Sequence, residues 1–199
     1  MKSKMLYTVL FMMIITALYS GALAILNEQT NEKILQNQKL KEQKAILYIF
    51  NIPYESNESL SNIQKLFNIH ISSQNINNHK LYIGKLSNDN ILGYAFPLEG
   101  NGLWGKIEGY IALSDDKEKI LGIEFTSHSE TPGLGGRISE EWFKEQFRNV
   151  NIKSFPDYIS MNTSDMQIDS ISGATQTSKA VESMINQNLS LFLNNMEVN

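Results

Sequence analysis

The sequence predicts an α+β fold, an antiparallel twisted sheet (a meander) flanked by helices and preceded by one N-terminal transmembrane helix. Three observations carry that expectation. Residues 5–26 (MLYTVLFMMIITALYSGALAIL) contain no charge. Residues 80–125 hold four short runs rich in Ile, Tyr, Leu and Phe, divided by turn-forming residues. The segments on either side of that tract space their apolar residues helically instead.

Taken in order, residues 5–26 come first. At ~1.5 Å of rise per residue such a helix spans a hydrocarbon core of ~30 Å. Lys2 and Lys4 precede it, and Glu28, Glu32 and Lys33 follow. The positive-inside bias therefore assigns residues 1–4 to the cytoplasm and the rest to the outside. A cleaved signal peptide is the rival reading, because Ala22-Leu23-Ala24 resembles an A-x-A site. The apolar run is long for a signal peptide, which favours a retained single-pass anchor; both readings export the bulk of the chain.

Residues 27–50 read as a charged, Gln/Asn-rich helical linker whose hydrophobic end docks on the domain, stopped by Asn51-Ile52-Pro53. Residues 51–199 form the extracytoplasmic domain. Within it, residues 57–68 place Leu60, Ile63 and Leu66 or Phe67 at helical spacing. The strand-like runs are 80–86, 91–98, 106–113 and 119–125, with dividers at 87–90, 100–105 and 114–116. Residues 138–149 look helical, with Ser139 as N-cap and Trp142, Phe143 and Phe147 on the buried side. Residues 167–172 suggest a last strand. From Thr177 onward, Val181, Met184, Ile185, Leu189 and Phe192 line one helical face.

Composition narrows the function. The 199 residues suit one globular domain plus a short appendage. Lys+Arg number 17 against 21 Asp+Glu, a net charge of −4, whereas a nucleic-acid binder would carry a basic stripe. Arg137 and Arg148 are the sole arginines, so guanidinium clusters are nearly excluded. With no cysteine there is no disulfide, thiolate metal site or Cys nucleophile. His70, His79 and His128 follow no metal-ligand spacing. A hydrophobic fraction of 42% supports a real core.

Chemistry has three glycine-bearing loops to occupy. Asn101-Gly102-Leu103-Trp104-Gly105 is a hairpin turn with an aromatic anchor. Residues 128–137 (HSETPGLGGR) match neither the dinucleotide fingerprint nor the P-loop, yet their glycines bare backbone N–H groups. Residues 169–177 (DSISGATQT) precede the last helix. Their small side chains leave the Thr175 hydroxyl open to a modifying enzyme, and the helix start offers unpaired N–H groups to a phosphate. Helix capping by Thr175 or Thr177 explains the same residues more plainly.

Asp169-x-x-Ser172-Gly173-Ala174-Thr175, with Thr177 two places on, resembles the flavinylation motif of the FMN-binding-domain family. Glu130-Thr131-Pro132-Gly133-Leu134-Gly135 resembles that family's second signature. Gly102-Leu103-Trp104-Gly105, followed by Tyr110-Ile111-Ala112-Leu113, looks most like the branch found in the C subunits of sodium-translocating NADH:quinone reductases (Nqr). The domain also occurs in the G subunits of Rnf complexes, and the order of motifs matches along essentially the whole chain. The resemblance implies FMN joined through its phosphate to Thr175 by a separate flavin transferase that uses FAD and recognises Asp169. It implies Ser172, Gly173, Ala174 and Thr177 around the phosphate. Glu130, Thr131, Gly133, Leu134 and Gly135 would flank the ring or ribityl chain, with Trp104 as an aromatic wall. The chain would then be an electron-carrying subunit in the cell's inner (plasma) membrane, partnered by the other membrane subunits of an Nqr complex, or of an Rnf-type ferredoxin:NAD complex. The distant alternative is a membrane-anchored binding module without flavin.

Overall fold

A computed structural model describes residues 2–55, 57–76, 79–86, 90–154, 156–161 and 168–197. The chain divides into two units, Met1–Leu40 and Lys41–Asn199. Helix α1 (Lys2–Ile49) begins in the first. There it is long and apolar enough to cross a membrane, with a mean hydropathy of 2.3 over its most apolar window and its Leu, Met and Phe side chains exposed. Thr8 and Thr16, two of its polar interruptions, donate their hydroxyls to the carbonyls of Lys4 and Met12 at 3.0 and 2.8 Å. Each is thereby satisfied without water.

The second unit is built on a six-stranded sheet whose spatial order is its chain order: β1 (Ile71–Ile76), β2 (His79–Lys85), β3 (Ile91–Asn101), β4 (Lys106–Ser114), β5 (Lys119–Ser127) and β6 (Val150–Asn151). All neighbours are antiparallel. The expected meander is thus present, extended by an edge strand on each side. β1 is mostly polar and exposed, with Ile71 its one buried residue, so alternation gave no sign of it. The turn expected at 87–90 falls largely on 87–89, outside the described residues, as does Gln167 of the expected last strand. Residues 168–172 of that segment form no strand.

Side-chain alternation gives the sheet two different faces. One presents Phe96, Leu98, Ile107, Ile111, Ile123 and Phe125, and helix α4 (Thr175–Glu197) packs there through Val181, Met184, Ile185 and Leu189. Phe192 stacks on Phe96 with ring centroids 4.1 Å apart. The helix comes so near that a methyl at Gly100 would stand 2.7 Å from Met184 Cγ. The other face carries Ala95, Ala112 and Gly122, aligned across β3, β4 and β5 by the strand register. This strip of small residues admits the last turns of α1, whose Ala45, Ile46, Leu47 and Ile49 are buried. A Cβ at Gly122 would lie 2.6 Å from the Ile49 carbonyl. Helix α2 (Leu60–His70) adds Ile63, and its N-cap is Ser59, whose hydroxyl accepts from Asn62 N–H.

The helix expected over 138–149 is broken. Gly135–Ser139 forms a 3-10 turn, Glu140 is extended, and α3 covers Glu141–Glu145. Ser139 is therefore not the N-cap; Glu140 takes that position with no capping hydrogen bond from its side chain. Phe143 and Phe147 are buried as expected, but Trp142 is not: it lies at the surface under the Arg137 guanidinium, 4.9 Å away. The break has a topological cause. The chain must turn at Asn149 (φ 59°) so that Asn149 N–H reaches Ile120 O and β6 can join β5.

That turn aims Arg148 at the end of α1. Its guanidinium donates to Tyr48 O (3.0 Å), to Ile49 O (3.4 Å) and to Leu121 O on β5 (2.9 Å), and pairs with Glu145 at 2.7 Å. A cation at a helix C-terminus adds donors to its last carbonyls and is favoured by the dipole. Tyr48 donates its hydroxyl to Glu145 at 2.6 Å. Burial opposes ionisation of Glu145, yet the hydrogen bonds from Tyr48 and Arg148 hold its carboxyl below the usual carboxylate range. Its contribution to stability is therefore complete above about pH 4.5 and is lost as pH falls through the lowered value. Replacing Arg148 by Met should cost about 2–4 kcal/mol at pH 7. The gap from the parent should narrow in acid as Glu145 protonates; urea unfolding in mild detergent across a pH series measures both.

Candidate functional site

The three loops singled out in the sequence meet at one end of the sheet, and a single carboxyl joins them. Glu130 leaves the end of β5 by way of Ser127–Ser129 and is only 4% exposed. One of its oxygens, Oε1, accepts from the Trp104 backbone N–H at 3.0 Å, in the β3–β4 loop. The other, Oε2, accepts from the Thr177 hydroxyl at 2.7 Å, in the first turn of α4. No ion pair to Glu130 occurs among the described residues. Two neutral donors satisfy a buried acid, which is what makes the burial tolerable.

Several glycines of these loops make room for that arrangement. A methyl at Gly102 would collide with Glu130 Oε1 and with Ile107. At Gly135 it would stand 2.5 Å from Thr177 Oγ1 and 2.8 Å from Glu130 Oε2. The loop 128–137 is further shaped by the Thr131 carbonyl, which accepts from Leu134 N–H and Gly136 N–H at 3.1 and 2.9 Å. His128 Nδ1 accepts from Glu130 N–H at 3.3 Å. The neutral ring then carries its proton on Nε2, toward Ser139 Oγ at 2.9 Å.

The segment before α4 is a tight turn. Ala174 N–H donates to Ile171 O at 2.9 Å, and Gly173 has φ +78°, the positive value a turn of this shape requires at its third position. Ser178 locks the turn from inside: its hydroxyl accepts from Ile171 N–H (3.0 Å) and donates to Ala174 O (3.2 Å). Since Ser178 N–H also donates to Ala174 O, Ala174 is the helix cap. The amides of Thr175, Gln176 and Thr177 are then left without intrahelical acceptors.

Of the expected site residues, Thr175 opens α4 with its side chain exposed, beside exposed Ser172 and Gly173 and buried Ala174. Thr131, Gly133 and Leu134 are exposed and Gly135 is buried. Leu134 comes near the turn, its Cδ2 lying 3.3 Å from where a Cβ on Gly173 would be. Trp104 presents its ring to the exterior (67% exposed), next to exposed Leu103. Glu130 and Thr177 are interior struts and not surface residues. Asp169 has an exposed side chain and a fixed backbone: Gln146 Oε1 accepts from its N–H at 2.8 Å. Sequence reasoning missed Ser178, Gln146 and the bridging part of His128. Ser178 alone carried a local signal, a hydroxyl one turn after the cap.

These features suit a phosphate-bearing aromatic ligand. A hydroxyl, free helix-start amides and open space beside Gly133 lie with exposed apolar side chains, Trp104 and Leu134, on the neighbouring loops.

Comparison with known proteins agrees with that chemistry. Residues 102–190 match the family model of the FMN-binding domain, a span that contains the glycines of all three loops. The C subunit of the Na(+)-translocating NADH-quinone reductase of Neisseria meningitidis is 31% identical over 110 residues, 52% of this chain and 43% of that protein. The G subunit of an ion-translocating oxidoreductase complex of Methanosarcina acetivorans is 36% identical over 100 residues, 50% of this chain and 51% of that protein. The chain thus spans about half, or less, of the length of these curated relatives. The crystal structure of the C subunit of the Na(+)-translocating NADH-quinone reductase from Parabacteroides distasonis superposes with a TM-score of 0.69 at 26% identity. It covers 83% of this chain and 96% of that one. The chain resembles the FMN-binding-domain family in sequence and in fold.

Gly135→Ala should destabilise the protein by about 1–3 kcal/mol, since the methyl must displace the Glu130–Thr177 contact. Gly133→Ala meets no neighbour but carries φ +74°, and should cost about 1 kcal/mol. Urea unfolding of the two variants beside the parent separates collision from backbone strain.

Proposed function

We propose that this chain is the FMN-carrying, electron-relaying subunit of a membrane oxidoreductase that moves ions, of the kind to which its sodium-translocating NADH-quinone reductase relatives belong, with FMN esterified to Thr175. The observation that supports the reading is the meeting of the three motifs at Glu130, which holds Thr177 two residues after the exposed Thr175 at the start of a helix. The Methanosarcina relative, at comparable identity, favours as a second reading the same role in an Rnf-type complex.

Attachment balances as a transfer from FAD. The Thr175 Oγ bonds to the phosphorus of the FMN half, the pyrophosphate P–O bond breaks, AMP leaves, and the hydroxyl proton is released. A flavin transferase performs the step, with exposed Asp169 in the segment it recognises. Esterification removes one phosphate charge, and the amides of Thr175, Gln176 and Thr177 face the remainder. When bound, the flavin accepts and returns electrons; the protein tunes it by contact alone, because the link is at the phosphate. Gly133 lets the Glu-Thr-Pro loop approach, while Trp104 and Leu134 supply apolar surface for the ring. Helix α1 anchors the subunit, and Lys2 and Lys4 before its apolar run point to a cytoplasmic N-terminus with the FMN domain on the other side. Covalent linkage suits that location, where a lost flavin could not be replaced. The other members of the complex supply the nicotinamide and quinone or ferredoxin chemistry.

Coexpression with a flavin transferase, followed by a denaturing gel under ultraviolet light, tests the reading. The parent band should fluoresce and Thr175→Ala should be dark while retaining the parent's unfolding midpoint. A dark parent band, or fluorescence that survives Thr175→Ala, overturns it.

A further inference from the structure

We infer that Glu130 is a positioning residue for flavin attachment: it presents Thr175 by tying the first turn of α4 to the Trp104 loop. The inference rests on the attachment to Thr175 proposed above and goes beyond it by giving a role to a side chain that touches neither the hydroxyl nor the surface.

Three features support it. Both oxygens of Glu130 are engaged, one by the Trp104 amide and one by the Thr177 hydroxyl. Neither bond is to Thr175, whose exposed side chain lies two residues earlier on the helix than Thr177. Thr177 is 1% exposed and holds the first helical turn from the side, whereas an untethered helix start frays. Ser178 fixes the turn before the helix from within its own segment. Glu130 is thus the hydrogen-bonded link between that segment and the other two loops. Finally, the backbone makes room for this particular side chain, because Gly102 and Gly135 each give up the volume its oxygens occupy.

The function of the strut is geometric and not electrostatic. Glutamine can preserve the arrangement: its oxygen accepts from the Trp104 amide, and its Nε2 donates to Thr177 Oγ1, which a hydroxyl can accept. Alanine cannot.

The test follows the rate of covalent flavin formation on the full chain in detergent, with purified transferase and saturating FAD. Hydrogen exchange of the unlabelled chain is measured in parallel. Glu130→Ala and Thr177→Val should slow attachment about tenfold or more, the scale expected for a misplaced reacting group. Glu130→Gln and Thr177→Ser should recover most of the loss. In Glu130→Ala, exchange should rise together in residues 102–105 and 171–178 and not across β2–β5, a pattern that general destabilisation would not give. If Glu130→Ala fails to fold, Thr177→Val, which removes one hydroxyl, decides by itself. Folded Thr177→Val or Glu130→Ala chains that attach flavin at the parent rate overturn the inference. So does Glu130→Gln as slow as Glu130→Ala. A parent chain that takes no flavin sinks the attachment reading instead.

Discussion

A carboxyl group buried at the end of a sheet, held by an amide and a hydroxyl from two other loops, is the constraint on which the site depends. Burying an acid costs several kcal/mol unless hydrogen bonds replace the lost water. Here each oxygen of Glu130 takes one of those bonds from a different segment, so the carboxyl is satisfied only when all three loops are in place. The glycines at 102 and 135 follow as consequences: they are the volume into which the carboxyl fits. Short motifs far apart in sequence are in this sense one motif, organised around a side chain that never reaches the surface.

The rest of the domain supplies a rigid frame for that junction. The sheet is covered on one face by α4, which brings Thr175 and Thr177 to its end, and on the other by the last turns of α1 over a strip of small residues. The two covering layers are fixed by different means. Packing places α4, through Phe192 on Phe96 and Met184 against Gly100, helped by hydrogen bonds from Thr177 to Glu130 and from Asn188 to the Glu99 carbonyl. The end of α1 has a polar clamp as well, since Arg148 gathers its carbonyls together with one from β5. Of the two arginines in the chain, one is thus committed inside the fold and the other lies over Trp142, paired with Glu140.

Much of this was legible in the sequence where periodicity is strong. The strands β2–β5 and the apolar face of α4 follow alternation and helical spacing that packing had no reason to override. The edge strands were not legible, because a strand that packs almost nothing carries no hydrophobic pattern: Ser72, Ser73, Gln74 and Asn75 of β1 are all exposed. The segment 138–149 misled for the opposite reason. Its aromatic spacing is helical, but the need to pair β6 with β5 and to deliver Arg148 broke it into short turns and left Trp142 outside. In the site, residue types and their grouping were readable from the motifs. The division between surface and interior was not, for Glu130 and Thr177 look as polar as Thr131 and Thr175; which of them faces inward is decided by partners more than 25 residues away.

In the function proposed above, the frame, the strut and the open hydroxyl would together form a flavin seat whose chemistry is set by contact and whose cargo is retained by a bond. The most direct measurement is a crystal structure of the flavin-loaded chain matured in its own cells. Electron density should run continuously from Thr175 Oγ1 into a phosphate at the start of α4, with the ring against Trp104 and Leu134 and Glu130 still bridging Trp104 and Thr177. A bare Thr175, or a flavin bound elsewhere on the domain, would contradict it.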